Sequence, residues 1–227
     1  MGVRRIETIV FDASGVLFDD LYAVWKADSD AFEACGFEGI ESLEHFKEAF
    51  RFPISEFCRS RGVPDSIIPS VEKEFRRVYP RYSGFIRVFP EVKNVLERLR
   101  QAEIVPAVAS NIPSLFLREH LQQFGIDGCF DAVTGQDDCE EVKPSPKPIL
   151  TTLEKLGRKP DRSAYVGDME EDIMAGKRAN VCTIAVSRDS SYHPAWRLKR
   201  QNPDFLIHDL EGLVTIVETL NCSTGRE

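Results

Sequence analysis

The 227-residue sequence predicts an α/β fold, in which helices cover both faces of a parallel sheet and a helical segment is inserted near the N-terminus. Two observations predict this class. Short apolar runs typical of strands alternate with amphipathic helical patterns, as they do in parallel sheets. Residues 20–85 break that alternation, because only helical patterns follow one another there.

The predicted strands are short, apolar and mostly β-branched, as in buried parallel sheets. The first is IETIVF at residues 6–11, and further candidates lie at 104–109, 132–134, 164–166, 182–186 and 205–207. Pro106 weakens the second candidate, because proline has no N–H to donate to a neighbouring strand.

Helical patterns separate these strands. Apolar residues recur at helical spacing near 92–99, 117–124 and 149–156, and the last two patterns stop before Gly125 and Gly157. Within the insertion, helical stretches lie near 21–35, 42–50, 54–61 and 66–79. We therefore predict a core made of residues 1–18 and 86–227, with a helical insertion at 19–85.

The overall composition is that of a soluble globular protein, with 42% hydrophobic and 29% charged residues. A net charge of −8 argues against nucleic acid or an anionic membrane as a partner. The sequence contains neither a signal-peptide pattern nor an apolar run of roughly 18 residues, so we expect a cytoplasmic protein. Its six cysteines are scattered, which favours reduced thiols. The sequence leaves the oligomeric state open.

Four polar clusters follow predicted strands, at the edge where open α/β sheets bind their ligands. A single such residue is typical of a turn or a helix cap, but we expect all four clusters to converge. They are Asp12 with Ser14 and Gly15, Ser110 with Asn111, Lys143, and Asp168 with Asp172.

These clusters carry a resemblance to a known family. FDASGVLFD at 11–19 resembles the pattern D-x-D-G-T-L-x-D, and ASN at 109–111 and Lys143-Pro144 resemble its second and third motifs. VGDMEEDIMAGKRAN at 166–180 is similar to the fourth motif, G-D-x-x-x-D-I-x-A-G-x-x-A. The chain thus resembles the haloacid dehalogenase-like hydrolase superfamily, in the subgroup with a helical cap inserted after the first motif.

The resemblance implies a Rossmann-like core, Mg²⁺ and Asp12 as the nucleophile toward a small phosphorylated substrate. It implies that Asp12, Asp168 and the main-chain carbonyl of Ser14 hold the metal, with Asp172 supporting them or orienting Lys143. Such a metal is needed because an anionic carboxylate approaches an anionic phosphate only if a cation screens their repulsion.

The remaining positions of the motifs are expected to contact the substrate. By the resemblance, Ser110 donates a hydrogen bond to a phosphoryl oxygen and Lys143 neutralises charge near Asp12. We also assign Ser14, Gly15 and Asn111 to substrate binding. Read without the other motifs, Ser110 is as easily a helix cap and Lys143 a solvated surface lysine.

Ser14 departs from the family pattern, which has a second aspartate there to protonate the leaving oxygen and later activate water. Such proton transfer is worth roughly 10²- to 10⁴-fold in rate, and a serine hydroxyl cannot supply it. Val16 also departs, standing where the pattern has threonine. Either the leaving group needs little help, as in an acyl or enol phosphate, or the acid is Asp19, Asp20 or a carboxylate of the cap. Asp20 is also a candidate helix cap.

Three other readings stay open. Phosphonoacetaldehyde hydrolases also lack the second aspartate and use a cap lysine, for which Lys26, Lys47 and Lys73 are candidates, although Pro53 lies near the expected position. Metal-free 2-haloacid dehalogenases lack it as well. The third reading is a protein that binds a phosphorylated ligand with little turnover.

The cap is expected to select the substrate by closing over the phosphate site. Its best-placed cations for an anionic substrate are Lys47, Arg51 and Arg59, and we predict Arg51 as the substrate-binding residue. Tyr192, His193 and Trp196 are expected to form a packed loop rather than a partner surface. The sequence as a whole predicts a Mg²⁺-dependent hydrolase of a small phosphorylated metabolite.

Overall fold

A computed structural model describes residues 5–223, so the outermost ends of the predicted core, 1–4 and 224–227, lie outside the described residues. The strands are β1 (Thr8–Phe11), β2 (Phe18–Asp19), β3 (Arg87–Val88), β4 (Val105–Ala109), β5 (Ala132–Thr134), β6 (Ser163–Gly167), β7 (Cys182–Val186) and β8 (Phe205–Ile207). The helices are α1 (Leu21–Ala34), α2 (Leu43–Ala49), α3 (Ile54–Ser60), α4 (Ile68–Val78), α5 (Val92–Gln101), α6 (Ser114–Gln123), α7 (Lys147–Lys155), α8 (Glu170–Arg178), α9 (Ala195–Arg200) and α10 (Glu211–Ser223). Across this described part of the chain, no helix combines the length and the apolar character that a membrane crossing requires.

A six-stranded parallel sheet forms the core, in the order β5-β4-β1-β6-β7-β8. The apolar side chains of β1 explain its position beside β4 and β6, since Ile9, Val10 and Phe11 are fully buried. The strands predicted for the core all form, with the first beginning at Thr8. The predicted α/β class is confirmed.

Pro106 lies inside β4 although β4 is not an edge strand. Its carbonyl oxygen accepts a hydrogen bond from the backbone N–H of Asp131 at 2.9 Å, one residue before β5 begins. Pro106 therefore lies where the neighbouring strand β5 is only beginning. Its missing N–H removes little of the hydrogen bonding between β4 and β5.

The helical insertion lies between two short strands that the sequence pattern does not predict. Phe18 pairs with Val88 and Asp19 with Arg87 in an antiparallel ribbon at the base of the insertion. Helices α1–α4 lie between these strands in the chain, as predicted. We call residues 19–85 the cap; the domain boundary itself stays a prediction.

Aromatic packing joins the cap to the core. The ring of Tyr192, which precedes α9 in the core, lies with its centroid 5.5 Å from that of Phe50 and 6.2 Å from that of Phe46. Phe57 completes the cluster within the cap. These contacts hold the cap over the carboxyl end of the sheet, where the strand-end polar residues lie.

Candidate active site

Asp12 follows directly after β1, at the carboxyl end of the sheet. Its backbone N–H continues the parallel ladder by donating to the carbonyl of Val166 at 2.8 Å, which fixes the position of the residue. The side chain is buried yet lines a cavity between core and cap. Asp12 therefore meets the first requirement for a nucleophile, because it is held rigidly and borders the space for a substrate.

Lys143 lies beside Asp12 and is buried rather than solvated. Its Nζ is 2.8 Å from Oδ1 of Asp12 and 2.7 Å from Oδ1 of Asp172, and it donates to the hydroxyl of Tyr165 at 2.8 Å. Burial alone would lower the pKa of Lys143, but the two carboxylates raise it above its ordinary value of 10.5. The ammonium is therefore charged and fixed next to Asp12.

The side chain of Asn111 forms hydrogen bonds with both the backbone N–H and the backbone carbonyl of Lys143. Its Oδ1 accepts from the Lys143 N–H at 3.0 Å, and its Nδ2 donates to the Lys143 carbonyl at 3.3 Å. Ser110, also buried, borders the cavity and does not cap a helix, because α6 begins only at Ser114 with Pro113 before it. Asn111 thus acts on Lys143, while Ser110 is open toward the cavity.

Asp172 connects the first turn of α8 to Lys143. Its Oδ2 accepts from the backbone N–H groups of Asp168 and Met169 at 3.0 and 2.9 Å, leaving Oδ1 for the lysine. Burial raises the pKa of Asp172 to about 6, against the opposing effect of the Lys143 charge. Of the two roles expected for Asp172, the structure shows directly that it contacts Lys143.

Three buried carboxylates form a cluster with the geometry of a cation site. Asp12, Asp168 and Asp172 each offer an oxygen, and these oxygens lie within 4.8 Å of one another. Oδ1 of Asp168 is buried and has no hydrogen-bond partner among the described residues, while its Oδ2 accepts from the backbone N–H of Tyr192 at 2.7 Å. Burial and then Asp172 raise the pKa of Asp168 well above its ordinary value of 3.8. The donor set fits a hard divalent cation, which would remove this cost.

Gly15 allows the loop after β1 to approach Asp168. Its φ is +70°, and a Cβ added there would collide with the Asp168 carboxylate. Any other residue would therefore face both backbone strain and a clash. Gly15 is required by the packing of the site.

The hydroxyl of Ser14 is engaged by a buried acid. It donates to Oδ2 of Asp20 at 2.6 Å, and Tyr192 donates its phenol to Oδ1 of the same carboxyl at 3.1 Å. Asp20 precedes α1, but its side chain makes no capping hydrogen bond. Burial raises the pKa of Asp20 to about 7, although the hydrogen bonds from Ser14 and Tyr192 oppose that shift. Asp20 thus occupies the N-cap position of α1 without capping the helix through its side chain, which instead accepts the hydrogen bond from Ser14.

The cavity has a volume of about 100 Å³. Its core side is mostly polar, and its cap side is largely apolar. Core groups that line it include Asp12, Ser14, Ser110, Asn111, Lys143 and Asp172. Cap groups include Val24, Asp28, Phe50, Phe52, Val71, Glu72, Phe75, Arg76 and Tyr79. The sequence motifs and the cap thus meet around one space.

The cap cations expected to meet the substrate lie elsewhere. Arg51 is not among the described residues that line the cavity, and its Nε donates to the carbonyl of Ala49 at 2.9 Å. Lys47 donates to the carbonyl of Asp189 at 2.8 Å on the exposed side of the cap. The geometry gives no support to Arg51 as a substrate-binding residue.

Two further contacts join the cap to the core. Oε1 of Glu171 accepts from the backbone N–H of Phe52 at 3.0 Å. The N–H of Glu170 donates to Nδ1 of His193, so Nε2 carries the hydrogen and donates to the carbonyl of Phe50 at 3.1 Å. Burial lowers the pKa of His193 to about 4, which keeps the ring neutral. Tyr192 and His193 form the expected packed loop, whereas Trp196 is 60% exposed.

Sequence reasoning missed several residues of the site, among them Tyr165, Asp28 and Tyr192. Tyr165 accepts from Lys143 and donates to the carbonyl of Ala109 at 2.8 Å, and Asp28 lines the cavity from α1. Neither carries a local sequence signal. Tyr192 lies in the segment predicted to be a packed loop, and its contacts with Asp168 and Asp20 depend on the fold.

Comparisons with known proteins agree with this geometry. A family model described as haloacid dehalogenase-like hydrolase matches residues 9–186. Pyrophosphatase PpaX of Oceanobacillus iheyensis is 31% identical over 227 residues, covering 93% of this chain and 97% of that protein. Phosphoglycolate phosphatase of Vibrio vulnificus is 28% identical over 226 residues, covering 96% and 98%.

Solved structures show the same fold. The crystal structure of a predicted phosphatase from Clostridium acetobutylicum matches with a TM-score of 0.85 at 18% identity, covering 95% of this chain and 99% of that one. The chain belongs to the haloacid dehalogenase-like hydrolase family, in its phosphatase subgroup.

Proposed function

We propose that the protein is a Mg²⁺-dependent phosphatase that hydrolyses a small phosphorylated metabolite through an aspartyl-phosphate on Asp12. The observation that carries this proposal is the convergence of Asp12, Lys143, Asp168 and Asp172 at one end of the sheet, with Asp12 bordering a cavity. The names of the relatives, a pyrophosphatase and a phosphoglycolate phosphatase, support the same class of reaction.

Asp12 and Asp168 are the residues that would hold the cation, with the Ser14 carbonyl as the further ligand expected from the family pattern. When bound, Mg²⁺ supplies positive charge that lets two anions approach each other. Lys143 adds a second fixed positive charge at 2.8 Å from the nucleophile. Ser110, buried at the cavity wall, donates its hydroxyl to a phosphoryl oxygen.

The reaction proceeds in two displacements. A carboxylate oxygen of Asp12 forms a bond to phosphorus as the bond from phosphorus to the leaving oxygen breaks, and that oxygen takes a proton. Water then attacks the phosphorus of the aspartyl-phosphate, which releases inorganic phosphate and restores Asp12. Lys143 remains bound to Asp12 and Asp172 and stabilises charge rather than transferring a proton, because these carboxylates raise its pKa.

Ser14 determines which leaving groups react well. The hydroxyl at this position donates to Asp20 and supplies no acid of its own. Esters whose leaving oxygen is stable as an anion, such as acyl, enol and aryl phosphates, therefore react faster than alkyl phosphates.

The structure does not favour the alternative readings. No cap lysine is among the described residues lining the cavity, so a Schiff base with a phosphonate aldehyde has no candidate there. The carboxylate cluster is arranged for a cation, which metal-free dehalogenation does not need. A binding protein with little turnover has the same geometry as an enzyme, and only kinetics separate the two.

The test is a turnover assay with acetyl phosphate, 4-nitrophenyl phosphate, phosphoglycolate, pyrophosphate, phosphonoacetaldehyde and 2-chloropropionate, each with Mg²⁺ and with chelator. We expect Mg²⁺-dependent phosphate release from acetyl phosphate and 4-nitrophenyl phosphate. Asp12→Asn should abolish it, while Asp127→Asn, an exposed aspartate in the core, serves as the matched control.

Three results would overturn the proposal. Retained turnover by Asp12→Asn would remove Asp12 as the nucleophile. Halide release in the presence of chelator would identify a dehalogenase. Saturable binding of the phosphate esters without turnover of any compound would identify a binding protein.

A further inference from the structure

Asp28 is a buried acid that the phosphatase chemistry does not use. It lies on α1, is 3% exposed, and borders the cavity together with Val24, one helical turn earlier. Its Oδ2 has no hydrogen-bond partner in the described structure. Burial raises the pKa of Asp28 well above its ordinary value of 3.8. An unpaired buried carboxyl of this kind destabilises a fold, so packing alone does not account for it.

The cavity wall around Asp28 is apolar. Val71, Phe75 and Tyr79 recur every four residues from α4 onward and present one stripe to the cavity. Phe50 and Phe52 line it from the loop between α2 and α3. Surfaces of this kind receive a hydrocarbon or aromatic group rather than a hydrated polar one.

The charges along the wall disfavour an acidic organic group. Lys143 and Arg76 are the cations that line the cavity within the described residues, and both are paired. Lys143 is held by Asp12 and Asp172, and Arg76 forms an exposed ion pair with Asp137 at 2.9 Å. A carboxylate or second phosphate on the substrate would instead meet the carboxyl groups of the wall, among them Asp28.

We propose that Asp28 and the apolar wall around it bind the organic part of the substrate, and that they select phosphate monoesters whose organic part is a hydrocarbon or aromatic group carrying an ammonium. This inference rests on the proposed phosphatase activity, because it assigns the substrate class of the same cavity. The ammonium of the substrate pairs with Asp28, while the hydrocarbon part packs against Phe75 and its neighbours. Esters that carry a carboxylate at the same place form no such pair, and the apolar wall would take up their charge without a counter-ion, which disfavours them.

The test compares three series of aryl phosphates. They share a phenolic leaving oxygen and differ in the group at the end of the para side chain. They are 4-(aminoalkyl)phenyl, 4-alkylphenyl and 4-(carboxyalkyl)phenyl phosphates, each with one to three methylenes in the side chain. We expect kcat/KM for the best amine to exceed that of its neutral analogue by roughly 10- to 100-fold, the effect of one charge-assisted hydrogen bond. The carboxylate should be the poorest substrate.

Asp28→Asn removes the charge and keeps the shape of the side chain. It should reduce the preference for the amine to less than about threefold, an expectation that follows from losing the ion pair. Turnover of acetyl phosphate, which has no group to reach Asp28, should persist. Glu33→Gln, at an exposed glutamate on the same helix, is the matched control and should keep the preference.

Separate outcomes distinguish this inference from the proposed activity. Equal kcat/KM values for the three esters, with acetyl phosphate still hydrolysed, would overturn the inference alone. If no compound is turned over, the proposed activity fails, and ligand-induced thermal shifts rank the same esters by binding. Equal shifts, or an unchanged ranking in Asp28→Asn, would then overturn the inference as well.

Discussion

Ser14 and Asp20 form a hydrogen-bonded pair where the family pattern has a free carboxylate. The Ser14 hydroxyl is 2.6 Å from Oδ2 of Asp20, and burial raises the pKa of Asp20 to about 7. The sequence identifies Asp20 only as a helix cap or a substitute acid. Its position behind Ser14 depends on Tyr192, 172 residues away in sequence, which no local pattern predicts.

Ser14→Asp should restore the missing acid. We expect kcat for alkyl phosphates to rise by roughly 10- to 100-fold, because the new carboxyl can protonate the leaving oxygen. The gain for acetyl phosphate should be small, since its leaving group needs little help. Steady-state kinetics with both esters measures the difference.

The double variant Ser14→Asp with Asp20→Asn separates proton transfer from repulsion. The amide at position 20 removes the negative charge beside the new carboxylate and should preserve or enlarge the gain. Unchanged or lower alkyl phosphatase activity in both variants would refute our explanation of the missing acid.

Asn111→Ala should loosen Lys143 without removing its charge. The variant loses both hydrogen bonds to the backbone of Lys143 and leaves those backbone groups unsatisfied, which costs roughly 1–3 kcal/mol of stability. We expect kcat to fall more than KM rises, because the ammonium no longer has one fixed position beside Asp12. Wild-type kcat in a destabilised variant would show that Asn111 is purely structural.

At the scale of single elements, α8 contributes both to the candidate site and to the contact between core and cap. Its first turn carries Asp172, which binds Lys143, and Glu171, whose Oε1 accepts from Phe52 of the cap. The fourth motif therefore predicts the side of this helix that contacts Lys143. It gives no indication of Glu171, because the position between two motif residues is variable in the pattern.

Glu171→Gln should change how stability depends on pH. Burial raises the pKa of Glu171 from 4.5 to about 7, so the folded state binds a proton more tightly than the unfolded state. Stability contributed by this group is therefore present below pH 4.5 and lost as the pH rises to about 7. The glutamine variant should gain on the order of 1–3 kcal/mol relative to wild type across that window. Thermal unfolding at pH 5 and pH 8 measures the gain, and an equal difference at both pH values would contradict the assignment.

Two of the strands are too short to be predicted from hydrophobic periodicity. β1 and β4–β8 are apolar runs separated by amphipathic helices, and the sequence predicts each of them. β2 and β3 have two residues each, too few to display an alternation. They form because the two ends of the cap segment return to the same place, which is a property of the whole fold.

At the scale of the whole molecule, the sequence predicts the core side of the cavity but not the cap side. Asp12, Ser110, Lys143 and Asp168 lie at strand ends, and parallel strands bring such ends together. The cap residues at the cavity lie on helices whose orientation relative to the sheet is set by packing. For this reason Arg51, which the sequence singles out, is not among the described residues that line the cavity, whereas Asp28 lines it without any sequence signal.

Mg²⁺ should stabilise the whole protein through the carboxylate cluster. Binding to the folded state alone contributes about 2.7 kcal/mol when the ion is at roughly 100 times its Kd, which raises Tm by several degrees. Asp168→Asn should abolish this shift, while Asp127→Asn should retain it. An equal shift in all three proteins would place the ion elsewhere.

The central claim is that Asp12 carries the phosphoryl group during turnover. The most direct test is acid quenching of the enzyme during hydrolysis of acetyl phosphate with Mg²⁺, followed by peptide mapping by mass spectrometry. We predict a phosphoryl group on the peptide that contains Asp12, absent in Asp12→Asn and in the chelator-treated enzyme. Rapid turnover with the phosphoryl group on another residue, or with no labelled intermediate in wild type and Ser14→Asp, would contradict the account.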